Sequence, residues 1–124
     1  MDLDLATVAV LVPRGKEPAK WYKEKLGFEA SGDAEGHWVV VAPKGSTKGP
    51  KGPQGPWRGI HLCEADELEP GNTGILFLTA DIGATVKEMK AKGVRFTREI
   101  TKEPWGTYAM FADPYGNEFW LMPK

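Results

Sequence analysis

Several side chains that can transfer protons, attack electrophiles or stack on rings lie in short apolar segments. His61 and Cys63 are two residues apart in RGIHLCE, and Glu118 and Trp120 are two apart in EFWLM. Tyr108 lies in the similar segment TYAMFA. Side chains alternate across a strand, so residues two apart share one face. Each pair is therefore expected to point to one side of a sheet.

His61 is the side chain best suited to proton transfer at neutral pH, because an unperturbed imidazole has a pKa of about 6.5. The competing interpretation is a buried histidine that is hydrogen-bonded to a neighbour. Cys63, in the same row, is interpreted as a small hydrophobic residue rather than a nucleophile. A spacing of two residues along one strand does not by itself bring a thiol into contact with an imidazole.

Glu118 is the second candidate for acid–base chemistry. Beside Trp120 and Tyr108 it would lie in partly apolar surroundings, where a carboxyl group becomes a usable acid or base. The alternative is a solvated carboxylate at the rim of a cavity. Tyr108 could donate a hydrogen bond to a substrate carbonyl. We therefore take His61, Glu118 and Tyr108 as the candidate catalytic residues.

Composition narrows the class of protein. The 124 residues suffice for one compact domain, and 16 basic against 17 acidic residues leave a formal charge of −1. This balance does not favour nucleic-acid binding. No apolar run approaches the length of a membrane span, and the acidic start MDLDL is unlike a signal peptide. The single cysteine fits a reducing cytoplasm.

The elements that must position these residues form a β-α-β-β-β pattern that occurs twice. Each helix is expected to end at a glycine, Gly27 or Gly93, and Asp81 is the expected N-cap of the second helix. The sequence predicts an α+β fold in a single domain, with one module over about residues 1–66 and another over about 73–124. The expected elements are Leu5–Val12, helix Glu17–Leu26, Phe28–Ser31, His37–Ala42, Arg58–Glu64, Gly74–Thr79, helix Ile82–Lys92, Val94–Ile100, Thr107–Ala112 and Glu118–Met122.

The segment 43–56 (PKGSTKGPKGPQGP) interrupts this pattern. Eight of its fourteen residues are Gly or Pro, which is typical of a solvated surface connection. The functional alternative is a lid over a pocket, in which Lys44, Lys48 and Lys51 would contact an anionic ligand.

Short motifs accompany the duplicated pattern. They are Trp21-Tyr22 with Leu26-Gly27-Phe28, Ile75–Phe77 with Asp81-Ile82, Lys92-Gly93-Val94, Pro104-Trp105-Gly106, and Asp113-Pro114 with Gly116-Asn117. As a set they resemble the vicinal oxygen chelate superfamily, which includes glyoxalases, bleomycin-resistance proteins and extradiol dioxygenases. The resemblance covers nearly the whole chain outside the Gly/Pro segment. It implies two modules that form a curved mixed sheet around a cavity, often completed in a homodimer, but it does not name a reaction.

Alternation along the strands separates core positions from positions facing the implied cavity. Apolar branched and aromatic residues are expected on the helix side; they are Val8, Val10, Val12, Ile60, Leu62, Ile75, Phe77, Phe119 and Leu121. The opposite row supplies the expected ligand-binding residues, which are Thr7, Cys63, Leu76, Met110 and Trp120. Trp38, Trp57 and Trp105 are further candidates to frame the cavity, whereas His37 is expected to be exposed.

The resemblance also implies where a divalent metal would bind. The four ligand positions of metal-using members fall on Thr7, His61, Gly74 and Trp120. Of these only His61 is a strong ligand, and a divalent ion needs at least three. Glu118 lies two residues before the usual acidic position. The sequence therefore predicts no standard metal site and no cofactor.

Three functions remain open at this stage. The first is a non-catalytic protein that binds a planar or apolar small molecule. The second is a metal-independent lyase or isomerase that uses His61 and Glu118 as acid and base. The third is a metal-dependent glyoxalase or dioxygenase, which would need an unusual site built from His61, Glu118 and Cys63.

Overall fold

The computed structural model describes residues 1–3, 5–32, 38–44 and 58–124. Most of the Gly/Pro segment lies outside these ranges, and so do His37, Lys48, Lys51 and Trp57. The chain divides into two compact units, residues 1–68 and residues 69–124. Within the described ranges, no helix is long and apolar enough to cross a membrane.

The first unit is a four-stranded mixed sheet with one helix. Its elements are β1 (Thr7–Pro13), α1 (Pro18–Leu26), β2 (Glu29–Gly32), β3 (Val39–Ala42) and β4 (Gly59–Ala65). The strand order is β1-β4-β3-β2. β1 runs parallel to β4, whereas β3 is antiparallel to both β4 and β2.

The second unit repeats this arrangement. Its elements are β5 (Gly71–Thr79), α2 (Ile82–Ala91), β6 (Arg95–Glu103), β7 (Gly106–Ala112) and β8 (Asn117–Pro123). The strand order is β5-β8-β7-β6, with β5 parallel to β8 and the remaining pairs antiparallel. The predicted α+β class and the twofold β-α-β-β-β pattern are confirmed.

The predicted caps at Gly27 and Asp81 are confirmed, whereas α1 begins one residue later than expected and α2 ends one residue earlier, at Ala91 with Lys92 as its C-cap. Pro18 opens α1 at a position where a missing backbone N–H costs nothing, and Gly27 closes it in the left-handed region with a φ of 67°. Asp81 caps α2, since its carboxylate accepts a hydrogen bond of 3.0 Å from the backbone N–H of Ala84.

Each unit has its own apolar core. In the first unit, Val12, Tyr22, Val40 and Val41 are fully buried. Val8 was expected to be buried with its neighbours but is 43% exposed. The row it shares with Val10 and Val12 is therefore buried only along its later part.

The core of the second unit is aromatic. Phe111 and Phe119 pair directly across β7 and β8, with ring centroids 5.5 Å apart. Phe77 and Phe96 contact Phe111 from β5 and β6, at 6.1 Å and 6.0 Å. These four rings occupy one face of the sheet, so the alternate residues of β7 and β8 face the other side.

The motif Asp113–Asn117 forms the turn between β7 and β8. Asp113 is 2% exposed, and its carboxylate accepts hydrogen bonds from the backbone N–H groups of Tyr115 and Asn117, both at 2.9 Å. The Asn117 side-chain amide donates to the second carboxylate oxygen at 2.8 Å. The Asp113 carboxylate thus closes a buried turn through its hydrogen bonds. This structural role explains why the motif is a signal of the fold and not of a reaction.

Candidate ligand-binding site

The residues on the open face of the second unit are set by the register of β7 and β8. Met110 lies directly opposite Trp120, and Ala112 lies opposite Glu118. Tyr108 is two residues before Met110 and therefore points to the same face. Leu76 of β5 pairs with Trp120 from the other side and is 47% exposed. The structure therefore brings Leu76, Tyr108, Met110, Glu118 and Trp120 together on one face.

Three rings form what we call the aromatic cluster: Trp105, Tyr108 and Trp120. Trp105 stacks on Tyr108 with centroids 5.1 Å apart and an interplanar angle of 28°. Tyr108 lies 5.0 Å from Trp120, and Trp105 lies 6.3 Å from Trp120. Tyr108 is only 6% exposed, whereas Trp105 is 59% exposed. The cluster thus has a fixed inner ring and an outer indole that presents aromatic surface.

A bulge in β5 lies beside this cluster. Asn72 pairs with Glu118 and Leu76 pairs with Trp120, so four steps along β5 match two steps along β8. Gly74, at the middle of the bulge, has a φ of 75°, a conformation that glycine adopts without strain. Bulges of this kind redirect side chains and are common beside functional sites.

Side-chain hydrogen bonds hold the bulge in place. The Asn72 Oδ1 atom accepts from the backbone N–H of Gly74 at 2.8 Å and from the Trp120 indole Nε1–H at 3.0 Å. Thr73 donates from Oγ1 to the backbone carbonyl of Glu118 at 2.8 Å and accepts from the N–H of Ile75 at 3.1 Å. Asn72 therefore fixes both the backbone turn and the indole of Trp120.

Asn72 is the site residue that sequence reasoning missed, because the strand was expected to begin at Gly74. The observed strand begins at Gly71. The signal was present in GNTG, since an asparagine two residues before a glycine is typical of a turn closed by its own side chain. That signal predicts a turn but not a turn within a strand.

Glu118 is half-buried at the edge of the aromatic cluster. It lies opposite Asn72 on β5 and opposite Ala112 on β7. Within residues 58–124 and the other described ranges, its carboxylate has no hydrogen bond or ion pair. A half-buried, unpaired carboxylate remains available to a ligand.

His61 has an aromatic partner in the first unit. It pairs with Val40 on β3, and its imidazole stacks on the indole of Trp38 with centroids 3.7 Å apart and an interplanar angle of 22°. Trp38 is 41% exposed. Burial lowers the pKa of His61 from its ordinary value of 6.5, because desolvation disfavours the imidazolium. Desolvation thus favours the neutral imidazole.

The other predicted residues of the first unit lie on neighbouring strands. Thr7 pairs with Gly59, and Leu11 pairs with Cys63. His61 and Cys63 alternate with the buried Ile60 and Leu62 and therefore share the opposite face of β4. Thr7 shares that face, because it pairs with Gly59. Their roles in binding or catalysis stay predictions.

The donor set at the implied metal positions does not fit a divalent ion. Gly74 has no side chain, and the indole N–H of Trp120 is a donor already used by Asn72. Thr7 offers a neutral hydroxyl and leaves His61 as the single strong ligand, where at least three are needed. Across the described ranges, no group of three or more His, Cys, Asp or Glu side chains is placed to hold a metal ion.

The family model for the Glyoxalase/Bleomycin resistance protein/Dioxygenase superfamily matches residues 4–121. The chain belongs to this superfamily. The match includes both β-α-β-β-β modules, in agreement with the resemblance carried by the motifs. Membership establishes the fold and leaves the reaction or ligand undetermined, because the superfamily includes both enzymes and resistance proteins.

Individual relatives agree with this assignment. An uncharacterized protein of Bacillus subtilis (strain 168), YetH, is 34% identical, with 94% of this chain and 95% of the relative covered. A superfamily member from Sphaerobacter thermophilus has a TM-score of 0.79 at 25% identity, covering 99% and 98% of the two chains. TnmS3, an antibiotic binding protein from Streptomyces sp. CB03234, has a TM-score of 0.74 at 27% identity, with the same coverage.

Proposed function

We propose that the protein binds a planar aromatic small molecule on the aromatic cluster of the second unit. The observation that carries this proposal is the 59% exposure of Trp105, whose indole stacks on the buried Tyr108. A rigid inner ring holds the outer indole in a stacking orientation, so little conformational entropy is lost when a ligand packs against it. Leu76 and Met110 supply adjacent apolar surface.

The relatives support a binding function of this kind. TnmS3 is described as an antibiotic binding protein and shares 27% of its residues with this chain over nearly its whole length. Polycyclic antibiotics are one class of planar ligand that the aromatic cluster would accept. The formal charge of −1 provides no strong overall field for a highly charged ligand.

Replacing Trp105 tests the proposal. We expect Trp105→Ala to weaken the binding of planar tricyclic compounds such as fluorene by about fivefold, because one stacking partner contributes about 1 kcal/mol. Equilibrium dialysis against the native protein measures this change. The matched control is Trp21→Phe on α1, which should leave the affinity unchanged. Equal affinities in all three proteins would contradict the proposal.

We propose that Thr7 and Cys63 are ligand-binding residues on the open face of the first unit. We further propose that the protein acts as a homodimer and functions in the cytoplasm. The single cysteine fits a reducing compartment. Leu76 and Leu78, which are 47% and 56% exposed, give each chain apolar surface that a ligand or a second copy would cover.

A metal-independent lyase or isomerase is the second candidate, and the neutral state of His61 favours it. A neutral imidazole can accept a proton, and so can the unpaired carboxylate of Glu118. Tyr108 would donate a hydrogen bond to a substrate carbonyl. His61→Gln and Glu118→Gln variants that bind normally but lose turnover would support this candidate, whereas unchanged turnover would remove both residues from the mechanism.

Metal-dependent glyoxalase or dioxygenase chemistry is not proposed, because the donor set does not fit. We expect calorimetric titration with zinc, nickel, manganese or iron to show no tight stoichiometric uptake. Tight uptake of one ion per chain would contradict this expectation and would point to His61, Cys63 or Glu118 as ligands.

A further inference from the structure

We propose that Asn72 determines specificity at this site by donating a hydrogen bond from Nδ2 to an acceptor atom on the edge of the bound aromatic ligand. This inference rests on the proposed function, because it names a polar contact for a ligand of the aromatic cluster. It narrows the ligand class to planar aromatics that carry a carbonyl or similar acceptor.

The orientation of the Asn72 amide follows from its partners. Both groups that contact it, the backbone N–H of Gly74 and the indole N–H of Trp120, are obligate donors. Only the amide oxygen can accept from them, so the flipped amide would place two donors against two donors. Oδ1 therefore faces the bulge and the indole, and Nδ2 faces away from them.

The two hydrogens on Nδ2 have no acceptor among the described residues. Asn72 is exposed, and it lies opposite Glu118 beside the Trp120 ring. The donor is thus at the edge of the aromatic cluster, held there by a backbone turn that includes Gly74. Pockets for small molecules commonly combine apolar surface with a few fixed polar groups that select the ligand.

Asn72 also has a structural role, and its substitution by aspartate separates the two roles. Asn72→Asp keeps an oxygen that can accept from Gly74 and Trp120, so the bulge and the indole are retained. The same change replaces the free donor by an acceptor. A residue with only a structural role would tolerate this change without altering ligand preference.

The test uses fluorene and fluorenone, which share one planar skeleton and differ by a CH2 group and a carbonyl group. The dissociation constants of both compounds are measured by equilibrium dialysis for the native protein and for Asn72→Asp. We expect the fluorenone-to-fluorene preference to fall by about fivefold in the variant, the effect of one net hydrogen bond. Fluorene affinity and the melting temperature should stay unchanged. Trp21→Phe on α1 is the control, because it lies outside the aromatic cluster and should leave the ratio unchanged.

The possible failures are distinguishable. If fluorene and fluorenone bind but their ratio is the same in both proteins, the specificity role of Asn72 is wrong while ligand binding stands. If neither compound binds the native protein, the proposed binding function fails together with this inference. If Asn72→Asp does not fold, Asn72→Ser is measured in its place. If the native protein then prefers fluorenone over fluorene no more than Asn72→Ser does, the specificity role of Asn72 is wrong.

Discussion

At the scale of single residues, the same kind of side-chain pair occurs in both units. His61 of β4 stacks on Trp38, and Trp120 of β8 lies 5.0 Å from Tyr108. Trp38 directly precedes β3, and Tyr108 lies within β7, so each partner ring is two residues before the residue paired with His61 or Trp120. His61 and Trp120 thus occupy equivalent ladder positions, opposite Val40 and Met110. One is a titratable ring and the other an indole, so the two sheets present different chemistry at the same place.

The lowered pKa of His61 predicts a pH dependence of stability. Between the ordinary value of 6.5 and the lower folded value, the unfolded chain binds more protons than the folded chain. The free energy of unfolding should therefore fall as pH decreases from 6.5 through the folded pKa, and should not depend on this group above 6.5. Melting temperatures measured from pH 8 to pH 5 should show this slope, and His61→Gln should reduce it.

A direct measurement of the His61 pKa provides the check. Imidazole resonances followed by NMR should titrate below 6.5 for His61, with His37→Gln used to assign the second histidine signal. An imidazolium on an indole face gains cation–π attraction, which raises a pKa. A value above 6.5 would show that stacking on Trp38 outweighs desolvation, and would contradict the prediction.

At the scale of elements, two turns determine the open face of the second unit. The Asp113–Asn117 turn sets the register of β7 against β8, and hence which residues share the face of Trp120. The bulge in β5 then places Asn72 against Glu118. In the first unit, the ladder of β1 and β4 runs from Thr7 to Pro13 without a shift. The bulge therefore distinguishes the ladder of β5 and β8 from the equivalent ladder of β1 and β4.

Gly116 is the position where this turn should be most sensitive. Its φ is 87°, and an added Cβ would lie 2.7 Å from the Cβ of Pro70. We expect Gly116→Ala to lower the free energy of unfolding by about 2 kcal/mol, from backbone strain and from this contact. Chemical denaturation followed by circular dichroism measures the change.

Gly83 provides a matched control in α2. An added Cβ there would meet the Asp81 Oδ1 atom at an ordinary 3.6 Å. Gly83→Ala should raise the free energy of unfolding by about 0.5 kcal/mol, because alanine favours the helix over glycine. Similar effects of the two substitutions would show that the strain at Gly116 is not the cause.

At the scale of the whole molecule, two modules with the same β-α-β-β-β pattern form two compact units of one superfamily chain. Leu76, Leu78 and Trp105 remain 47%, 56% and 59% exposed in the single chain. Such surface is usually covered by a ligand or a partner. This agrees with the proposal of a homodimer.

Sedimentation equilibrium tests the assembly. We expect a species of twice the 13.6 kDa chain mass at micromolar concentration. A homodimer held by apolar surface should persist in high salt, because screening weakens only charge interactions. A single species of chain mass across the concentration range would contradict the prediction.

The sequence by itself determined the superfamily, the twofold module pattern and the faces of the strands. Each of these depends on local signals: alternation in β4 and β8, the helix caps at Gly27 and Asp81, and the turn residues Asp113–Asn117. Every strand buries the face that carries its apolar residues. Alternation along β8 was therefore enough to assign Phe119 to the buried face and Trp120 to the opposite face.

Only the tertiary structure decided the details of the site. Three features join residues that are 23 to 48 positions apart in the chain. They are the bulge at Asn72, the hydrogen bond from the Trp120 indole to the Asn72 side-chain amide, and the stacking of His61 on Trp38. Such contacts depend on the register between strands, and a shift within a ladder leaves no periodic signal in the sequence. The physical reason is that alternation specifies a face, whereas neighbours across the sheet specify the chemistry on it.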